Sequence, residues 1–159
     1  MPRILALVLV MASITLFPTR ALAHCQVPCG IYDDELRFNL LLEHAGTIEK
    51  AMGQITSLAS DASANINQLV RWTNTKEDHA QEVQEILDAY FFTQRLKPAA
   101  EGDTQADADY VTSLRLIHAA TLAAMKCKQT TDPANAQALR NAINAYHDHY
   151  FKDADHTHE

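Results

Sequence analysis

The chain of 159 residues is short of the residues that punctuate structure, with 4 glycines and 5 prolines. No stretch shows the strict alternation of a half-buried strand. Alanine, leucine, glutamine and glutamate are plentiful, and these favour helix. An all-α fold follows. Cysteine is scarce as well, at 3. A chain of this size buries a core without disulfide staples, and an odd count reads as one pair plus a leftover, or as a metal pair plus a core thiol. Runs of lysine and arginine are missing, and the formal charge is −7. Phosphate contacts need clustered positive charge, so nucleic acid is excluded as a partner. There is no internal repeat and no Cys-x-x-Cys pair of the dithiol-exchange kind.

What is present begins with a leader. Arg3 supplies a positive start, Ile4 to Phe17 is apolar except for Ser13 and Thr15, and Pro18-Thr19-Arg20 breaks the run. Ala21-Leu22-Ala23 is a small-residue cleavage site. The apolar run is too short to span a bilayer comfortably. Residues 1–23 are therefore expected to be a signal peptide cut after Ala23, with periplasmic or secreted localisation and no stable membrane association after cleavage. No twin-arginine pair occurs, and His24 stands before Cys25 where a lipoprotein signal has a small residue. Cutting removes two arginines and no acid from a chain of charge −7, which leaves −9 on 136 residues. That is the size of one domain.

The body, residues 33–152, reads as an antiparallel four-helix bundle. Asp33 and Asp34 are placed to cap a first helix. Leu36, Leu40, Leu41, Ile48, Met52, Ile55 and Leu58 follow at near-helical spacing, with Gly46 and Gly53 weakening its continuity. Ser60 to Ala64 is a turn or restart, and Ile66, Leu69 and Val70 form a short stripe around Trp72. Thr73-Asn74-Thr75 marks a further helix start, after which Val83, Ile86, Leu87, Tyr90 and Phe91 share a face until Pro98. A third helix from about Asp107 carries Tyr110, Leu114, Ile117, Thr121, Leu122 and Met125. Thr130-Thr131-Asp132-Pro133 stops it and starts a fourth, with Pro133 suited to a first helical position and Leu139, Ile143, Tyr146 and Tyr150 as its stripe. Cys127 reads as a small buried hydrophobe. Residues 153–159 are a polar tail. The helical histidines His44, His118, His147 and His149 read as surface or hydrogen-bonded core, and His156 and His158 as weak metal binders at most.

Between leader and body lies a hook, residues 24–32: His24-Cys25-Gln26-Val27-Pro28-Cys29-Gly30-Ile31-Tyr32. Cleavage after Ala23 frees an α-amine beside the His24 imidazole, the Cys25 amide nitrogen and the Cys25 thiolate, and Cys29 adds a second thiolate. Amine, amide and two thiolates can share a plane around a metal, with the imidazole approaching along the axis. Such a plane suits Ni(II) or Cu(II) better than Zn(II), which takes a tetrahedron. Pro28 and Gly30 shape the returning loop. A Cys25–Cys29 disulfide in an oxidising compartment satisfies the same spacing.

The hook, placed behind a cleavable leader and ahead of a helical domain, resembles the nickel-containing superoxide dismutases. The likeness is close over the nine residues of the hook, and the rest agrees in length and helical pattern. The resemblance implies one nickel per subunit cycling between Ni(II) and Ni(III), with superoxide converted to dioxygen and hydrogen peroxide. It implies His24 as amine and axial imidazole ligand, Cys25 as amide and sulfur ligand, and Cys29 as the second sulfur. Tyr32 would screen the vacant axial face. Homohexamers and a leader-processing peptidase are implied too, and cytoplasmic localisation after processing is the alternative to export. Relatives orient the imidazole with a glutamate on the first helix and an arginine further along. Here Leu40 stands at the glutamate's position, which leaves Glu43 and His79 as candidates, although exposed glutamates and helix-surface histidines are the commoner situation. The alternative function is an exported nickel- or copper-binding or delivery protein without turnover.

The purified protein is expected to begin at His24. Intact-mass spectrometry checks this, and any other N-terminus removes the amine ligand.

Overall fold

In the computed structural model, which describes residues 33–152, the chain is helical and holds no strand among those residues. Helix α1 spans Asp34–Leu58, and a single 3-10 turn over Ala59–Asp61 leads into α2, Ala62–Glu85. The chain then continues without a break into a π-helical segment, Ile86–Arg95. An extended stretch precedes α3, Thr104–Gln129, and α4 spans Pro133–Tyr150. Helix α1 packs on α2 and α4, α2 on α3, and α3 on α4.

Each helix start is marked by an aspartate. Asp33, Asp61, Asp103 and Asp132 accept from the backbone N–H of Leu36, Ala64, Ala106 and Ala134. Each satisfies one of the donors that a helix leaves open in its first turn and sets a negative charge on its positive end. Asp103 therefore starts α3 three residues ahead of the expected Asp107. Gly102, just before it, takes φ +89°, which a side chain would resist.

The core is one cluster. It draws Phe38, Leu41, Ile48 and Met52 from α1, and Val83, Leu87 and Phe91 from α2 and the π segment. From α3 it takes Ile117, Ala124 and Cys127, and from α4 Leu139, Ile143 and Tyr146. Phe38, which the stripe on α1 passes over, is its aromatic centre. Its ring lies 4.5 Å from Phe91, 5.3 Å from Tyr146 and 5.5 Å from Tyr150. The cluster thereby ties α1, the π segment and α4 together, with tilted and edge-on rings as their quadrupoles prefer.

Four further sequence expectations are corrected. Thr73-Asn74-Thr75 lies inside α2 and starts nothing: the Thr75 hydroxyl donates back to the Arg71 carbonyl, so it is satisfied by the helix it was expected to begin. Gly46 and Gly53 do not interrupt α1. The stripe around Trp72 is not core. No residue between Met52 and Lys76 is buried, and Ile66 and Val70 are 65% and 54% exposed, because the α1–α2 turn reaches past the ends of the core. Trp72 is half-buried, with the Lys50 ammonium 5.8 Å from its ring centre. On α3 the buried face is Ile117, Ala120, Ala123, Ala124 and Cys127, so Leu122 and Met125 face outward.

Lys76 is almost fully buried, 3% exposed. Its ammonium donates to the carbonyls of Cys127 at 2.7 Å and Lys128 at 2.6 Å, and to the Glu77 carboxylate at 2.7 Å. It thus caps the C-terminal turn of α3 from α2, placing a cation on the negative end of that helix. Lys76→Met is expected to lower stability by about 1–3 kcal/mol, the cost of leaving buried acceptors unsatisfied. Urea unfolding of the two proteins measures it.

Candidate functional site

The residues expected to hold and screen a metal, His24, Cys25, Cys29 and Tyr32, lie outside the described residues. Helix α1 begins immediately after them, and its first turn carries a dense polar junction. Asp33 is the cap, which leaves the carboxylate of Asp34 available for tertiary contacts. It accepts from the Tyr90 hydroxyl at 2.6 Å, the Tyr150 hydroxyl at 2.7 Å and the Arg95 guanidinium at 2.6 Å. Arg95 also donates from Nε to the Tyr150 oxygen at 3.0 Å. Three elements, α1, the π segment and the end of α4, meet at one carboxylate whose side chain is 16% exposed.

The electrostatics follow from burial and pairing. Burial works to raise the Asp34 pKa, but hydrogen bonds from Tyr90, Tyr150 and Arg95, with the Arg95 charge, hold it below the ordinary carboxylate value. Burial, then the bond to Asp34 and its charge, pushes Tyr90 up to about 12. Burial and the same bond push Tyr150 up to about 12. Arg95 is pulled down by burial and raised more strongly by Asp34 and Tyr150. All four groups therefore keep one protonation state at neutral pH. The junction is a fixed structural contact. The Arg37 guanidinium lies 5.0 Å from the centre of the Tyr90 ring.

A second polar contact joins α1 to α2. His44 Nδ1 and His79 Nδ1 are 2.7 Å apart and share one hydrogen bond, so one ring presents an N–H and the other a lone pair. Burial first, then the neighbouring His79, lowers the His44 pKa, and Glu82 and Glu43 offset part of this. His79 is thus engaged by His44, while Glu43 is exposed. Leu40 is half-buried.

The other described histidines match their sequence reading, and His156 and His158 lie outside the described residues. His147 Nε2 meets the Glu35 carboxylate at 3.0 Å, and His149 meets the Ser113 hydroxyl at 3.0 Å. Exposed His118 lines a groove of about 640 Å³ between α2 and α3, beside Gln84, Phe92, Leu114 and Ile117. Cys127 is free and buried, and burial pushes its thiol up to about 11, away from the thiolate that metals bind. Among the described residues, no three of His, Cys, Asp and Glu are grouped to hold a metal ion.

Sequence reasoning missed the Asp34 junction. Tyr90 and Tyr150 were read as stripe residues, and Arg95 was not singled out. The available signal was the pair of adjacent aspartates, since one cap uses one carboxylate, together with two buried tyrosines that need hydroxyl partners.

Of the comparisons with known proteins, the family model for nickel-containing superoxide dismutase matches residues 19–154. No curated protein and no solved structure matches the chain.

The His44–His79 contact has a pH consequence. His44 titrates lower in the folded protein than in the unfolded chain, so the unfolded chain binds more protons as the pH falls below about 6.5. Its contribution to stability is complete above that pH and is lost on acidification. The urea midpoint is expected to fall between pH 8 and pH 5.5, and to fall less in His44→Gln. Equal falls in the two proteins would exclude the pair as the cause.

Proposed function

The chain belongs to the nickel-containing superoxide dismutases, and we propose that its nickel is held by the hook at a processed N-terminus, by the His24 amine and imidazole, the Cys25 amide and thiolate, and the Cys29 thiolate. The family's cofactor is nickel, and its reaction converts superoxide to dioxygen and hydrogen peroxide. What supports the site reading is that the family match starts at residue 19 and so takes in the whole hook. The donor set fits the metal: anionic amide and thiolate donors from Cys25 and Cys29, with the His24 amine and imidazole, would hold nickel and stabilise its higher oxidation state. Nickel bound there supplies the one-electron couple between Ni(II) and Ni(III).

The remaining work falls to the chain. Cleavage at Ala23–His24 exposes the amine, and deprotonation of both thiols makes binding weaken as pH falls. Tyr32, with a polar tip on an apolar body, would screen the site and order a small anion. With a net charge of −9 on the processed chain, attraction of superoxide must be local to the site.

The helical body is read as an antiparallel four-helix bundle. In support, consecutive helices pack on each other and the last packs on the first. His44 meets His79 and Lys50 meets Trp72, the register of two helices running in opposite directions. The homohexamer of the family is proposed for this chain as well, and the exposed Ile66 and Val70 at the α1–α2 tip are surface that association would cover. The leader, with its apolar run, favours export by the general secretory route and removal by a peptidase.

Nickel-loaded processed protein is expected to consume superoxide, with activity lost in Cys25→Ser and in Cys29→Ser. Stopped-flow decay of superoxide checks this. Tight nickel binding without turnover in the parent would make the protein a carrier.

A further inference from the structure

We propose that Asp34 is a positioning residue for the nickel hook: its carboxylate, held by Tyr90, Arg95 and Tyr150, fixes the point at which the hook leaves the helical body. The proposal rests on the hook being the nickel site.

The first ground is the division of labour between adjacent acids. Asp33 caps α1 through Leu36 N. Asp34 makes no cap and turns its carboxylate onto residues 56, 61 and 116 positions away. Capping alone leaves a first helical turn free to fray. Three donors from two other elements remove that freedom at the residue where the described chain begins to be helical.

The second ground is the choice of chemistry. A mostly buried ion pair is a weak source of stability, and apolar side chains of similar volume serve that end as well. What a charged, bidirectionally bonded junction adds is a single geometry, because Asp34, Arg95 and Tyr150 close a ring of hydrogen bonds that tolerates little displacement. Phe38, one turn along α1, packs on Tyr150 from beneath.

The third ground is distance along the chain. Only Gly30, Ile31, Tyr32 and Asp33 separate Cys29 from Asp34. A displacement of the helix start is passed on to a ligand and to the screening tyrosine with little chain to absorb it. Groups outside the ligand set that hold ligands in place typically matter by ten- to a hundredfold.

The test uses processed, nickel-loaded protein. Asp34→Asn keeps size and one acceptor oxygen but removes the charge that Arg95 requires. Tyr150→Phe keeps the packing and removes one donor. Both are expected to retain the parent's far-ultraviolet circular dichroism. Asp34→Asn should change the g-values and nitrogen hyperfine splitting of the Ni(III) electron paramagnetic resonance signal and lower turnover about tenfold, and Tyr150→Phe should do so less. In metal-free protein, Asp34→Asn should speed hydrogen exchange of the amides at 34–38 while those at 117–127 keep the parent's rate. Tyr146→Phe, in the same aromatic cluster but without a bond to Asp34, should leave the signal unchanged. A parent signal unaltered in both Asp34→Asn and Tyr150→Phe overturns the proposal. If Asp34→Asn does not fold, Tyr150→Phe alone decides. A parent whose nickel signal survives Cys25→Ser overturns the hook as the nickel site, a distinct result.

Discussion

One carboxylate, Asp34, joins three elements of the helical body. Two tyrosine hydroxyls and a guanidinium converge on it, and the aromatic rings of Phe38, Phe91, Tyr146 and Tyr150 exclude water beneath. In that setting each group depends on the others. The charge on Asp34 offsets the charge on Arg95, and both tyrosine hydroxyls donate to the same carboxylate. The directions of the pKa shifts express the same dependence: Asp34 is held charged, and Tyr90 and Tyr150 are held neutral.

The opposite region of the body is built differently. Lys76 closes the C-terminal turn of α3 from the side of α2, and beyond it the α1–α2 turn extends without a buried residue. On α3 burial runs from Ile117 to Cys127, up to the turn that Lys76 closes.

Much of the helical body was legible in the sequence. The Asp33 cap and the Asp132-Pro133 restart are local signals, and they mark the right places. The stripe Val83, Leu87, Tyr90 and Phe91 is buried as its spacing implies. The errors share a cause. Thr73-Asn74-Thr75 has the composition of a helix start, but composition does not show that Thr75 is satisfied by its own helix. Ile66 and Val70 have helical spacing, but spacing does not show where the neighbouring helices end. Phe38 was passed over because four leucines nearby outnumber it, although it has the most aromatic partners in the core.

The candidate chemistry was determined by the sequence alone, since every proposed ligand lies within six consecutive residues and the proposed leader cut would expose the first of them. Ligand type and spacing over so short a segment are properties of the covalent chain. Only the tertiary structure decided that Asp34 is a junction and not a cap, that His44 and His79 share a hydrogen bond, and that Lys76 ends a helix 51 residues away. These pairings join residues far apart in the chain, and no local periodicity records them. They arise when packing removes water from polar groups and brings them within reach of one another.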